Sequence, residues 1–152
     1  MDRNFTNEKM MKAKCFVIGI LFSLIGCKEP KFNEADFIGV WKSEDGANIV
    51  INKDGTCILN ELNKSIVSIA KSDDEKLTTD GTWKLIDSVN NGITGGINTG
   101  IKITYNLVNR EGKGEIDFYI SGQGFSENKP PWDLFIWNGD PDEMNKYRFV
   151  KQ

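Results

Sequence analysis

Two alternating apolar runs flank a tight turn in residues 47–60, ANIVINKDGTCILN. The four residues from Asn52 to Gly55 suit a type I turn that ends with Gly55 in the left-handed region, a common solution for a three-residue hairpin loop with a bulge. In this register one face of the hairpin carries only apolar side chains: Ile49, Ile51, Cys57 and Leu59. A two-residue turn at Asp54 and Gly55 would mix apolar and polar side chains on both faces. The pattern therefore predicts the bulged hairpin, with Cys57 pointing inward.

The same alternation recurs along the chain, with breaks every eight to fifteen residues, which is typical of β-strands. The predicted strands are residues 38–43, 47–52, 56–62, 66–70, 81–87, 101–107, 114–121, 134–137 and 147–151. Before the first of them, Asn33 is a candidate N-cap for one helical turn. The segment from Val89 to Gly100 contains four glycines and three asparagines, and we expect a mobile loop there.

An apolar run of ten residues, 16–25, leads into the sequence Leu24-Ile25-Gly26-Cys27. A helix that spans a bilayer needs about 20 residues, whereas a run of this length fits the apolar core of a secretory signal. The last four residues match a lipobox at every place, and in that motif the cysteine sulfur receives a diacylglycerol before cleavage. The alternative, a transmembrane anchor or a buried helix, is disfavoured by the length of the run.

We therefore predict three parts of the chain: a lipoprotein signal peptide over residues 1–26, a lipidated tether over 27–33, and one β domain over 34–152. Lys12 and Lys14 supply the positive charge that precedes the apolar core of a signal. The first eight residues contain Asp2 and Glu8, with Arg3 as their only cation. The true start is accordingly expected at Met10 or Met11.

Composition narrows the classes of function. Removing residues 1–27 leaves 15 basic and 20 acidic residues, a net charge of −5, which disfavours a nucleic-acid surface because such proteins carry a basic face. Cys15 leaves with the signal and Cys27 is lipidated, so Cys57 has no partner for an intrachain disulfide. The chain contains no histidine, the commonest general base and metal ligand.

Several groups of carboxylates are candidates for cation-binding or catalytic sites, but each has a simpler structural interpretation. The consecutive acids of residues 73–75 are interpreted as a solvated loop, and those of residues 140–143 as a turn before the last strand. Glu115 and Asp117 alternate with apolar residues and are expected to face solvent. A glycosidase pair among these carboxylates stays open, although nothing in the sequence favours it. We predict no catalytic residue, no metal site and no cofactor.

Two short sequence patterns resemble those of a known protein family. Gly39-Val40-Trp41 follows a candidate helical turn, and Arg148 lies in the last predicted strand, between Tyr147 and Phe149. Together with the lipobox, they resemble the small lipocalin-like lipoproteins of Bacteroides and Flavobacterium type. The resemblance implies an all-β, antiparallel up-and-down barrel of about eight strands. It also implies that Trp41 plugs the closed end, with the Arg148 guanidinium lying against its indole.

The expected function follows from the anchor and the resemblance. We expect a lipid-anchored protein of the cell envelope, on the periplasmic or cell-surface side and most simply in the outer membrane. Its partners would be the membrane, through the lipid on Cys27, and either a small apolar ligand or an envelope protein. The alternative is a protein-interaction module of the inhibitor or immunity type, which would use loops at residues 71–80, 89–100 and 122–132, with Trp132 available at their rim.

The first prediction concerns the anchor. Changing Cys27 to Ser removes the sulfur that accepts the diacylglycerol, so the variant should carry no lipid and should accumulate as unprocessed precursor. Metabolic labelling with a fatty-acid analogue measures this directly. Equal labelling of the wild type and Cys27→Ser would contradict the prediction.

Overall fold

The computed structural model describes residues 32–67, 76–90, 97–107, 111–123 and 130–152. The predicted signal peptide and Cys27 lie outside these residues, as do the acids of residues 73–75.

Eight antiparallel strands form a closed barrel in which each strand pairs with its neighbours in sequence and the first strand pairs with the last. The strands are β1 (Gly39–Ser43), β2 (Asn48–Ile51), β3 (Thr56–Asn63), β4 (Lys76–Asn90), β5 (Ile97–Asn106), β6 (Lys113–Ile120), β7 (Asp133–Trp137) and β8 (Lys146–Lys151). The all-β, up-and-down barrel expected from the sequence is confirmed.

The hairpin of β2 and β3 has the bulged register. Ile51 lies opposite Cys57 and Ile49 opposite Leu59, while the Asn52 amide donates to the Thr56 carbonyl at 3.0 Å. Gly55 has a φ of 84°, the left-handed conformation that glycine adopts without steric cost. Local turn chemistry is thus sufficient to fix this register.

The described part of the chain contains two one-turn α-helices, α1 (Glu34–Phe37) and α2 (Lys64–Val67). The N-cap predicted at Asn33 is present, since its side chain accepts from the Ala35 amide at 3.0 Å and Asp36 accepts from the Asn33 amide at 3.0 Å. This reciprocal pair is a capping box. Within the described ranges, no helix is long and apolar enough to cross a bilayer.

Two predictions of local structure are wrong. Residues 64–67 form α2, so the strand expected over 66–70 is absent at 66 and 67, while residues 68–70 lie outside the described residues. The loop expected from Val89 to Gly100 is strand at both ends, because β4 and β5 continue with Val89 opposite Asn98 after a bulge that follows Ile86. Val89 is 3% exposed, so tertiary pairing overrides the glycine-rich composition.

Alternate side chains of the strands point inward and form one apolar cluster. Its fully buried members include Trp41, Ile49, Ile51, Cys57, Leu59, Leu62, Ile101, Ile103, Phe118, Leu134 and Phe149. Phe118 on β6 and Phe149 on β8 belong to strands separated by β7, and their ring centroids lie 5.7 Å apart. Side chains from non-adjacent strands therefore meet inside the barrel.

Cys57 should be chemically quiet. It is 1% exposed, and burial, with a smaller contribution from Asp80, raises the pKa of its thiol to about 11. A pKa raised by two units lowers the thiolate fraction about 100-fold at neutral pH. Native mature protein should therefore react with a thiol reagent at least about 100-fold more slowly than denatured protein. Equal rates in the native and denatured states would show that Cys57 is accessible.

Candidate functional site

Trp41, on β1, packs against Phe37 of α1. The side chain is fully buried, its indole Nε1 donates to the Phe37 carbonyl at 2.8 Å, and the ring stacks on Phe37 with centroids 6.1 Å apart. On the other side of β1, Trp41 lies opposite Lys151 and Ser43 opposite Phe149. The first and last strands therefore meet, as the resemblance implied.

The predicted contact between Arg148 and Trp41 is wrong. Neighbouring residues of β8 point into the core, so Arg148 points outward, and its side chain is 58% exposed. Its guanidinium binds Asp133, with Nε 2.8 Å from Oδ2. The cation beside Trp41 is Lys151, whose Nζ lies 5.8 Å from the ring centroid and donates to the Asp36 carbonyl at 2.7 Å. The register across the closure places Lys151, not Arg148, opposite the tryptophan.

A polar network at one end of the barrel is centred on Asp45, in the turn between β1 and β2. The Tyr147 hydroxyl donates to the Asp45 carboxylate at 3.1 Å, and Lys76 approaches it at 3.2 Å. Ser43 and the Ala47 amide also donate to it. Partial burial raises the pKa of Asp45, but these donors outweigh that effect and lower the pKa to about 2.

This Asp45 network has a structural role. At neutral pH its carboxylate is an anion whose oxygens already accept from several donors, so it is poorly suited to proton transfer. The network instead links the β1–β2 turn to the starts of β4 and β8. Its stabilising effect is present above the unfolded-state pKa, near 3.8, and is lost as the pH falls toward 2.

An aromatic group lies on the outer face of the barrel, and we call Tyr119, Phe135, Trp137 and Lys146 the outer aromatic cluster. Tyr119 on β6 stacks on Phe135 of β7 with centroids 5.3 Å apart. Trp137 meets Phe135 edge to face at 5.1 Å. The Lys146 ammonium lies 4.3 Å from the Phe135 centroid and 5.0 Å from that of Trp137, within the range of cation–π attraction.

Burial within this cluster is uneven. Phe135 is 7% exposed but lies outside the interior apolar cluster, whereas Tyr119 and Trp137 are half-buried. Burial also raises the pKa of Tyr119. The Trp137 indole Nε1 is buried and has no hydrogen-bond acceptor among the described residues. The surface thus combines aromatic rings with an unsatisfied donor and an ammonium group.

Most of these rings were expected in the core, although the sequence contains a pattern that indicates an outer cluster. Residues 118–120 and 134–137 are apolar at every successive position, whereas a strand with one solvated face alternates. Continuous apolar runs indicate strands covered on both faces. In β7, Leu134 and Ile136 take the interior, which leaves Phe135 and Trp137 for the outer face.

The remaining predicted sites have structural roles. Glu115 and Asp117 face outward, as predicted, and both pair with Lys102, at 2.9 and 3.4 Å. Residues Pro141–Glu143 form a 3-10 turn, as expected for a connection before β8. Trp132 is 6% exposed and packs edge to face on Phe32 at 4.8 Å, so it does not stand free at a rim. The described residues hold no group of three potential metal ligands.

Comparison of the chain with protein-family models, curated proteins and solved structures found no match.

A double-mutant cycle distinguishes the two candidate partners of Trp41. Trp41→Ala should cost about 3–5 kcal/mol of unfolding free energy as a large-to-small core change. Combined with Lys151→Ala it should show a coupling of about 0.5 kcal/mol or more, since the residues are in contact. Combined with Arg148→Ala, the matched control on the same strand, the effects should add. Denaturant unfolding measures all of these free energies. Coupling to Arg148 but not to Lys151 would contradict the structural assignment.

Proposed function

We propose that the protein is a lipid-anchored component of the bacterial cell envelope, attached to its membrane through a diacylglycerol on Cys27. The lipobox and the short apolar run before it support the anchor. The closed antiparallel barrel supports the resemblance to small lipocalin-like lipoproteins. The barrel then acts by binding a partner or as a structural component, and not by catalysis.

The packing of the interior supports a second part of the proposal, namely that the barrel acts through its outer surface. The rings of Phe118 and Phe149, on strands separated by β7, meet in the interior. Trp41 is fully buried, and the Asp45 network links the β1–β2 turn to β4 and β8. Among the described residues no charged side chain is buried. The inward-facing groups thus contact one another, which favours surface contacts over the carriage of an apolar ligand inside the barrel.

Of the two expected functions, the interaction module is therefore better supported than the carrier of an apolar ligand. Its contact surface, however, is on the outer face of the barrel and not at the loops. Residues 76–80, 89–90 and 97–100 belong to β4 and β5, so the loops expected to form the contact surface are shorter. Trp132 is covered by Phe32. Partly exposed aromatic rings, which were expected at the loops, are present instead in the outer aromatic cluster on β6 to β8.

A fluorescent apolar probe, N-phenyl-1-naphthylamine, tests whether the interior carries a ligand. Benzene, measured by calorimetry, is a second and smaller probe. Phe118→Ala is the matched control for it, because the substitution removes one phenyl ring and opens an apolar space of about that size. If that variant fails to fold, Phe149→Ala opens a comparable space. We expect saturable benzene binding by the control variant and no saturable binding of either probe by the wild type.

Saturable probe binding by wild-type protein at the control's affinity or better would contradict the proposal that the barrel acts through its surface. Membrane fractionation of the same strains reports separately on the anchor, since the wild type should remain with the membranes.

A further inference from the structure

We propose that the outer aromatic cluster is a binding surface for a carbohydrate chain of the cell envelope. The inference rests on the proposed function, because it names the chemistry of the partner that the outer surface of the barrel contacts. It is carried by the arrangement of Tyr119, Phe135, Trp137 and Lys146.

The rings form a supported platform. Phe135 is the buried base, and the half-buried Tyr119 and Trp137 flank it within 5.3 Å between centroids. Pairing of β6 with β7, with Tyr119 opposite Phe135, holds two of the rings on adjacent strands. Aromatic faces are electron-rich and attract positively polarised hydrogens. The C–H groups on one face of a pyranose ring are such hydrogens, so sugar rings pack well on an aromatic platform.

The polar groups of the cluster are donors. The Trp137 Nε1 is buried with no acceptor in the part of the chain that the structure describes, and a buried donor without an acceptor destabilises the protein. Lys146 adds an ammonium group, which donates and never accepts, and its Nζ lies 5.0 Å from the Trp137 ring. Acceptor oxygens of a ligand can reach the Lys146 ammonium directly and the indole donor when the half-buried Trp137 ring turns outward on binding. Sugar hydroxyl, ring and carboxylate oxygens supply such acceptors.

Other partners fit these features less well. A purely apolar protein surface would bury the Lys146 ammonium and leave the indole donor without an acceptor. Single-stranded nucleic acid also stacks on aromatic rings, but the net charge of −5 for residues 28–152 opposes a polyphosphate. Carbohydrate combines an apolar face with acceptor oxygens, and thus matches both parts of the cluster.

Binding is tested with the mature lipidated protein in detergent micelles. The probes are chitotetraose, soluble peptidoglycan fragments and a panel of neutral and acidic bacterial polysaccharides. Tryptophan fluorescence and calorimetry measure affinity. We expect saturable binding to at least one of these carbohydrates.

Three variants locate the binding. Trp137→Ala removes the flanking ring and should weaken affinity at least tenfold, whereas Trp137→Phe keeps an aromatic ring, removes the indole donor and should weaken it several-fold. Ile58→Ala is the matched control, since Ile58 is 46% exposed on the outer face of β3, and it should bind like the wild type. Thermal melting of each variant establishes that the fold is retained.

The outcomes separate the two proposals. The absence of binding to every probe, or equal affinity of the wild type and Trp137→Ala, would overturn the carbohydrate proposal. Neither result affects the anchor, which the labelling of Cys27 tests, or the surface role of the barrel, which the apolar probe tests. Failure of those two experiments would instead overturn the proposed function.

Discussion

The pairing of β1 with β8 is the constraint on which the other features of this domain depend. It joins residues about one hundred positions apart in sequence, with Trp41 opposite Lys151 and Ser43 opposite Phe149. A sheet closed in this way has no free edges, and each strand then has one face inside and one outside. Strand alternation therefore divides the described side chains of the strands between the core and the surface.

This division between inside and outside also determines where function can reside. The interior is occupied by aliphatic and aromatic side chains that contact one another, and Cys57 is held there as an un-ionised thiol. The charged groups are on the outside or at the ends, in structural pairs such as Arg148 with Asp133 and in the Asp45 network. The outer aromatic cluster departs from this arrangement, because it places rings and an unsatisfied donor on the side where polar residues normally lie. That departure supports the proposal that a partner binds at β6, β7 and β8.

The features that could be predicted from the sequence are those encoded over short distances. The Asn52–Gly55 turn and the flanking alternation determined the hairpin register, and Asn33 determined the N-cap. The strand expected over residues 66–70 is wrong at its start for a local reason, because the Asn63 side chain accepts from the Ser65 amide at 3.1 Å and residues 64–67 turn into α2. The loop expected from Val89 to Gly100 is wrong at both ends because the pairing of β4 with β5 outweighs local composition. The contact between Arg148 and Trp41 was implied by the resemblance alone. It is absent because the register across the closure, which depends on the path of the whole sheet, places Lys151 opposite Trp41. The outer position of Trp137 also depends on which neighbours face the core.

Nuclear Overhauser effects between β1 and β8 test the closure most directly. The account predicts backbone contacts between Trp41 and Lys151 and between Ser43 and Phe149, together with the hairpin contact between Ile51 and Cys57 as an internal reference. Observation of the hairpin contact without either contact between β1 and β8 would contradict the account, because the sheet would then be open and the division into interior and outer surface would not hold.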